Sequence, residues 1–198
     1  MRKIITLFLL LFALSTMSLN AQVGVALYLE KASICKQTNG KFSLNDFHKK
    51  PIIADADTIF STHFDCFVVS KAGQKGLYDA EGKCLLPITF NNISFDNSRY
   101  WLVNKDGKQG LYTYMGKEIL PPRYDSIEVA CSFCTTASNY FIVKKGLYGL
   151  CNNEGKFIVD PQYTAIEYRY LRYFKLTKGD SCHYLFNYKD IIKNITLD

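Results

Sequence analysis

A segment of 21 residues occurs three times in this chain, and this repetition constrains the fold more than any other feature. The central copy, Gly107–Ile127, reads GKQGLYTYMGKEILPPRYDSI, and the flanking copies are Gly73–Ile93 and Gly146–Ile166. The period is 34 residues for the first step, counted from Gly76 to Gly110, and 39 residues for the second. A fixed period of this length is typical of repeat architectures, in which each unit packs mainly on its neighbours.

Each copy predicts four short strands joined by glycine turns. The first strands are the apolar runs Phe67–Val69, Trp101–Val103 and Phe141–Val143. The first turns contain Gly73, Gly107 and Gly146. The second turns contain Gly82, Gly116 and Gly155, where a glycine bulge fits. Because proline has no N–H for a ladder, we expect the third strands to end at Pro87, Pro121 and Pro161.

These patterns predict an all-β fold of antiparallel hairpins, stacked as an open solenoid-like or propeller-like array with atypical terminal caps. The repeat domain is assigned to residues 66–198. Its units are residues 67–99, 100–139 and 140–169, followed by a degenerate copy over 170–198.

The N-terminal third predicts export followed by a capping region. Residues 1–21 have a basic start and a short apolar run, as in a secretory signal peptide, and their removal lowers the formal charge from +6 to +4. We therefore expect an exported protein, periplasmic, on the cell surface or secreted, without a membrane span after cleavage. Residues 22–65 are the predicted cap, in which Val23–Glu30 alternates like a strand and Asn39-Gly40 marks a turn.

The repeat motif resembles that of a known family. Gly-x-x-Gly-Leu-Tyr, followed by Gly-Lys-x-Ile-Leu-Pro-Pro-x-Tyr-Asp-x-Ile, is similar to the WG repeat, a β-rich bacterial repeat often found in exported proteins. The resemblance covers about residues 67–192. Lys75, Gln109 and Tyr148 stand at the position of the family's tryptophan. The resemblance implies a scaffold for binding other molecules and supplies no catalytic residues.

Seven cysteines in an exported chain leave at least one thiol unpaired within the chain. Cys131 and Cys134 form a Cys-x-x-Cys, for which we expect a local disulfide or two inert thiols, since the β pattern offers no helix to activate a redox pair. Cys84 and Cys151 occupy strand positions and are expected to be buried thiols. The three histidines share no zinc-finger spacing, so we predict no metal site and no cofactor.

Lysines recur at the turns of every copy, and stacking would align them into basic ridges. We select Lys75, Lys108 and Lys145 at the first turns as candidates for binding an anionic partner, and Tyr112, Tyr114 and Tyr148 as candidate exposed tyrosines. The alternative is that the lysines serve only solubility and protect strand edges.

The predicted function is a non-catalytic binding or scaffolding module for proteins or anionic glycans of the envelope or the extracellular space. Export disfavours nucleic acid as a partner. The competing hypothesis is a cysteine- or metal-dependent envelope enzyme that uses Cys131 and Cys134.

Overall fold

The computed structural model describes residues 31–62, 65–96, 99–130, 140–169, 173–188 and 191–195. These residues form strands and turns, and they include no helix. The strands are β1 (Ser33–Lys36), β2 (Phe42–Asn45), β3 (Pro51–Ala56), β4 (Thr58–Ser61), β5 (Phe67–Lys71), β6 (Gln74–Tyr78), β7 (Cys84–Phe90), β8 (Asn92–Asp96), β9 (Tyr100–Lys105), β10 (Lys108–Thr113), β11 (Glu118–Tyr124), β12 (Ser126–Ala130), β13 (Tyr140–Lys145), β14 (Leu147–Cys151), β15 (Phe157–Tyr163), β16 (Ala165–Arg169), β17 (Tyr173–Lys178), β18 (Ser181–Tyr188) and β19 (Ile191–Ile195).

These strands form five antiparallel sheets whose strand order follows the chain. The first sheet is β1-β2-β3, and the others are β4-β5-β6-β7, β8-β9-β10-β11, β12-β13-β14-β15 and β16-β17-β18-β19. This arrangement confirms the predicted all-β fold of repeated hairpins. By internal contacts the chain forms two compact units. The first unit consists of the chain up to Ala72 together with Leu77–Cys84. The second unit consists of Gly73–Gly76 and the chain from Leu85 onward.

The sheets of the second unit are displaced by one strand from the copies read in the sequence. The isoleucine that ends each copy lies in the first strand of the next sheet. That strand pairs with the first strand of the following copy. The Cα partners are Ile93↔Val103, Ile127↔Val143 and Ile166↔Leu176. Each of these sheets therefore combines strands from two sequence copies, which connects neighbouring repeats through the chain itself.

Two clusters of buried side chains lie in the core of the second unit. One is built around Leu111, Tyr124 and Phe141, and the other around Leu150 and Phe174. Leu111 is fully buried, as its repeat position predicts. Because these clusters draw on successive sheets, the repeats share their core and do not each bury a separate one.

The second turn of each repeat has the predicted bulged geometry. In the central repeat Thr113 N donates to Lys117 O and Gly116 N donates to Thr113 O, with Gly116 at φ +79°. A Cβ on Gly116 would lie 2.6 Å from the carbonyl oxygen of Leu85 in the preceding repeat. The glycine thus serves two purposes, since it adopts a positive φ and allows one repeat to approach the backbone of another.

The prediction that proline ends the third strand is wrong. In β11 the strand continues through Pro121 and Pro122 to Tyr124. The proline is tolerated because β11 is an edge strand and because its pairing with β10 shifts register between Gln109 and Leu111, as at a bulge. A Cβ on Gly110 would lie 2.8 Å from the nitrogen of Pro122, so this bulge requires glycine opposite it.

The first unit contains a hairpin that the sequence copies did not predict. Asp46 N donates to Lys50 O and Lys49 N donates to Asp46 O, which is the pattern of the second turn in the repeats. Lys49, at φ 65°, stands where the repeats have glycine, and this substitution hides the motif. The Asn39-Gly40 turn is confirmed, with Gly40 at φ 81°.

Residues 1–21 and Val23–Glu30 lie outside the described residues, so the signal peptide and the first predicted strand stay predictions. In the part of the chain that the structure describes, none of the segments is a helix with the length and apolar character needed to cross a membrane.

Candidate functional site

The second turn of the central repeat presents two large apolar side chains to solvent. Tyr114 is 52% exposed and Met115 is 61% exposed. A side chain of strand β9 fixes the backbone of this turn, because the indole Nε1 of Trp101 donates to the carbonyl oxygen of Tyr114 at 3.2 Å. The close packing of Gly116 on Leu85 fixes its other end. The two side chains therefore project from a backbone with little freedom to rearrange.

The equivalent turn of the third repeat is polar. Asn153 and Glu154 stand at the positions of Tyr114 and Met115, and the Glu154 carboxylate forms an ion pair with Lys156 at 2.9 Å. This ion pair lowers the pKa of Glu154, mainly through the hydrogen bond from Lys156. The apolar surface is therefore a property of the central repeat and not of the turn type.

A shallow pocket of about 290 Å³ lies between these two turns. Its lining residues are Thr113, Lys117, Glu118, Ile119, Asn153 and Glu154. Five of the six lining residues carry a polar or charged group, and Ile119 is the apolar one.

Tyr112 is a correction to the predicted site, because it is buried and not exposed. Its hydroxyl donates to Glu118 Oε2 at 2.7 Å. Burial raises the pKa of Tyr112, and the hydrogen bond to Glu118 raises it further. Leu111 and Tyr112 lie on opposite faces of β10, which pairs regularly with β9, and both faces are covered. Leu111 belongs to the cluster that contains Phe141, whereas the ring of Tyr112 packs on that of Phe90 with centroids 5.9 Å apart.

Tyr148 is half-buried and packs against the core cluster around Leu150. The ammonium of Lys144 lies 5.1 Å from the centre of its ring, within the range of a cation–π contact. Of the three tyrosines predicted to be exposed, only Tyr114 is largely free of the core.

The first-turn lysines differ in how far they are engaged. Lys108 Nζ lies 2.5 Å from Asp125 Oδ1, and Lys75 Nζ lies 2.6 Å from Asn92 Oδ1. Lys145 is exposed and lies next to the turn glycine Gly146. The structure thus uses Lys75 and Lys108 to connect strands of the repeats.

Asp125 joins two hairpins. Its Oδ2 accepts a hydrogen bond from Gly146 N at 2.7 Å, while its Oδ1 contacts Lys108. The hydrogen bond from Gly146, followed by that from Lys108, lowers the pKa of Asp125. Asn91 makes the matching contact one repeat earlier, where its Oδ1 accepts from Asp106 N at 2.7 Å. Gln109 binds the next strand in a different way, since its Oε1 accepts from Ile127 N at 2.7 Å.

Cys131 and Cys134 lie outside the described residues, so their predicted disulfide and the alternative redox role are untested. Cys151 is buried as expected, and burial, reinforced by Asp160, raises its pKa to about 12. Cys84 is exposed, which corrects the expectation of a buried thiol, because it starts edge strand β7 where one face meets solvent. Within the described ranges no three His, Cys, Asp or Glu side chains are grouped as metal ligands.

Sequence reasoning overlooked Met115 and the anchoring role of Asn91. Met115 was not selected because the repeat comparison favours shared residues, whereas Met115 occurs in one copy. The Asn or Asp that stands two residues before the closing isoleucine of a copy, Asn91 or Asp125, is the sequence sign of this anchor.

Comparison with known proteins agrees with the repeat motif. The model of the WG containing repeat family matches residues 110–130 and 148–169. Among curated proteins, none matches the chain. A solved structure described as a crystal structure of the eukaryotic initiation factor aligns with 78% of this chain and 59% of that chain, at 10% identity and a TM-score of 0.34. A likeness this low carries no argument about fold or function. The two matched segments lie within the β10–β12 and β14–β16 regions, and the chain contains WG repeats at these two places.

Proposed function

We propose that this chain is an exported, non-catalytic module that binds another protein through the second turn of its central repeat. The observation that supports this proposal is the rigid turn that exposes Tyr114 and Met115. Tyrosine and methionine are enriched at protein interfaces. A turn that is already ordered loses little conformational entropy on binding, which favours affinity.

The neighbouring pocket adds specificity to this surface. An apolar partner surface covers Tyr114 and Met115, and a polar side chain of the same partner enters the pocket beside Ile119. Lys117 and Asn153 supply charge and amide groups there. Such a division between an apolar centre and a polar margin is usual for protein interfaces.

Export supplies the setting in which this module works. The proposed location, in the periplasm, on the surface or outside the cell, is inferred from the signal-like residues 1–21, and the partner is accordingly a protein of the envelope or the medium. The predicted absence of nucleic acid as a partner follows from the same inference.

A site-specific crosslinking experiment tests the proposal. The mature chain carries a photoreactive residue at position 115, or at position 81 as the matched control, which is the equivalent exposed turn position of the first copy and lies outside the pocket lining. Each is irradiated in envelope extract. We expect a protein adduct through position 115. Unlabelled wild-type chain should compete for this adduct, whereas an unlabelled chain with the double substitution Tyr114→Ser and Met115→Ser should not.

Equal adducts through positions 115 and 81, or equal competition by wild-type and substituted chains, would argue against binding at this turn. Both positions lie in exposed turns, so a difference between them does not arise from access alone.

A second candidate partner is an anionic glycan bound through the lysines. The observation in its favour is the group at the first turn of the third repeat, where Lys145 is exposed, Lys144 lies over Tyr148 and Leu147 is 43% exposed. A cation beside an aromatic ring suits a polyanionic sugar. The cysteine- or metal-dependent enzyme that uses Cys131 and Cys134 stays the alternative class, and loss of a measured activity in Cys134→Ser would identify it.

A further inference from the structure

The turn that joins β1 to β2 contains the one asparagine of the chain that glycine follows, at Asn39-Gly40. Thr38, Asn39 and Gly40 are all exposed to solvent. The turn is closed by the backbone, since Gln37 N donates to Lys41 O at 2.8 Å and Gly40 N donates to Gln37 O at 3.1 Å. The Asn39 amide therefore stands at the tip of an ordered turn, where water reaches it.

Two hydrogen bonds engage the side chain of Asn39. Its Oδ1 accepts from Lys41 N at 2.9 Å, and its Nδ2 donates to Asp55 Oδ1 at 3.4 Å. Asp55 lies in β3 at φ 57°, a left-handed conformation that few residues other than glycine adopt. The amide nitrogen thus connects the exposed turn to a strained position of the next strand.

The residues around this amide favour attack on it by the backbone nitrogen of Gly40. Glycine has no side chain to hinder the approach. The hydrogen bond from Lys41 N stabilises the negative charge that Asn39 Oδ1 gains in the attack. Gly40 N must first leave Gln37 O, which is a local opening of an exposed turn and not an unfolding of the core.

We propose that Asn39 is a site of spontaneous deamidation, and that the reaction replaces its hydrogen bond to Asp55 by repulsion between two carboxylates. The reaction is slow and changes the chain covalently, so it marks the age of each molecule.

Water is the only co-reactant. The Gly40 nitrogen forms a bond to Asn39 Cγ and gives up its proton to solvent. The bond between Cγ and Nδ2 breaks, and Nδ2 takes up a proton and leaves as ammonia. Water then opens the resulting cyclic imide at one of its two carbonyl carbons. The products are an aspartate or isoaspartate at position 39 and one ammonia, and nothing is oxidised or reduced.

The new carboxylate meets ammonium groups that already have partners. Lys41 forms an ion pair with Asp57, and Lys71 Nζ donates to the carbonyl oxygen of Ala54 at 3.0 Å. Asp55 loses the donor that the amide supplied and gains a like charge at hydrogen-bond distance, which is unfavourable. We therefore expect the β2–β3 hairpin to be less stable after the reaction.

This inference does not depend on the binding function proposed for Tyr114 and Met115, because it concerns a different turn and requires no partner molecule.

The test incubates the mature full-length chain, folded in neutral buffer, and follows each asparagine by peptide mass spectrometry. Asn152 and Asn153 are the controls, because they lie in a turn with the same backbone hydrogen bonds and neither is followed by glycine. We expect Asn39 to deamidate about tenfold faster than either control, since the residue after it has no Cβ.

Gly40→Ala tests the chemistry of the attack. The added Cβ meets nothing within 4 Å in the folded turn, so its effect is on the approach to the amide and on the φ of +81°. We expect deamidation at Asn39 to slow in this variant. If Gly40→Ala does not fold, the comparison of asparagines on the unsubstituted chain remains decisive. Equal rates at Asn39 and Asn153 in that chain would overturn the modification site.

Asn39→Asp reproduces one product and tests the repulsion. We expect this variant to unfold at a lower urea concentration than wild type. Adding Asp55→Asn should restore the midpoint, because the pair again contains one amide and one carboxylate, and asparagine tolerates the positive φ of this position. An unchanged midpoint in Asn39→Asp, or no recovery in the double variant, would overturn the proposed repulsion.

Discussion

The two turns of the central repeat contain the same residue at the same φ, yet the structure holds them in different ways. Gly107 in the first turn and Gly116 in the second have φ values of +77° and +79°. A Cβ on Gly107 would meet nothing within 4 Å, whereas a Cβ on Gly116 would lie 2.6 Å from the backbone of Leu85. At the glycine itself, only the second turn packs against the backbone of another repeat.

The first turns are anchored by side chains instead. Asn91 accepts a hydrogen bond from Asp106 N, and Asp125 accepts one from Gly146 N, so each first turn is bound by the polar residue that precedes the sheet. The difference indicates where the repeat tolerates change. A side-chain anchor survives small movements, whereas backbone contact at a glycine does not.

The largest expected effect comes from adding a side chain at the packed glycine. Gly116→Val should lower the free energy of unfolding by about 4 kcal/mol or more, because it combines an unfavourable φ with a clash against Leu85 backbone. Gly107→Val should lower it by only about 1–3 kcal/mol, since it suffers the φ strain alone. Urea unfolding of both variants measures the difference.

Lys117→Ala is the control for Gly116→Val, because Lys117 is exposed in the same turn and should stay within about 0.5 kcal/mol of wild type. Equal losses for Gly116→Val and Gly107→Val would show that φ strain alone explains both glycines, and the comparison of the turns would fail.

Leu111 lies on the strand that joins the two turns and supplies a scale for their effects. Leu111→Ala should lower the free energy of unfolding by about 2–5 kcal/mol, because it leaves a cavity at a fully buried site. Calorimetry and urea titration measure this loss. A value within the error of a surface substitution would place Leu111 outside the core and contradict the packing described above.

The anchor of the first turn should show a pH dependence. The folded-state pKa of Asp125 is lowered by Gly146 and Lys108, so its contribution to stability is present above the unfolded pKa and is lost as pH falls through the folded one. Asp125→Asn should therefore lower the urea midpoint at pH ~7 and should differ less from wild type below pH ~4. An unchanged difference across this range would show that the carboxylate charge is irrelevant to the anchor.

The smallest effect on stability is expected for the lysines. Replacing Lys75, Lys108 and Lys145 together by Gln should leave the fold intact, since exposed ion pairs contribute about 0–1 kcal/mol each. If these lysines bind a polyanion, affinity should fall in the triple variant and with added salt, because screening acts over about 8 Å at physiological ionic strength.

Heparin-type polyanion binding, measured by fluorescence titration, compares this variant with a control in which Lys117 and Lys156 of the second turns are replaced by Gln. Equal affinity in all chains would leave Lys75 and Lys108 with the strand-connecting contacts alone and would redirect attention to Tyr114.

Much of this fold could be predicted from the local sequence. The glycine spacing predicted the bulged second turns, and the apolar runs predicted strands β5, β9 and β13. The proline error arose because a proline inside an edge strand requires a bulge, and a bulge depends on the partner strand. Tyr112 was predicted to be exposed but is buried, because the second face of β10 is also covered, by Phe90 of the preceding repeat.

The sequence by itself determined the repeat, its strands and its turn geometry, because these follow from φ preferences and apolar periodicity within about ten residues. Only the tertiary structure decided which turn residues carry out structural work. Lys108 forms an ion pair with Asp125 because folding brings the two side chains together. Met115 stays exposed because the fold leaves its side chain uncovered. Such contacts depend on how neighbouring sheets pack, and no single copy of the repeat contains that information.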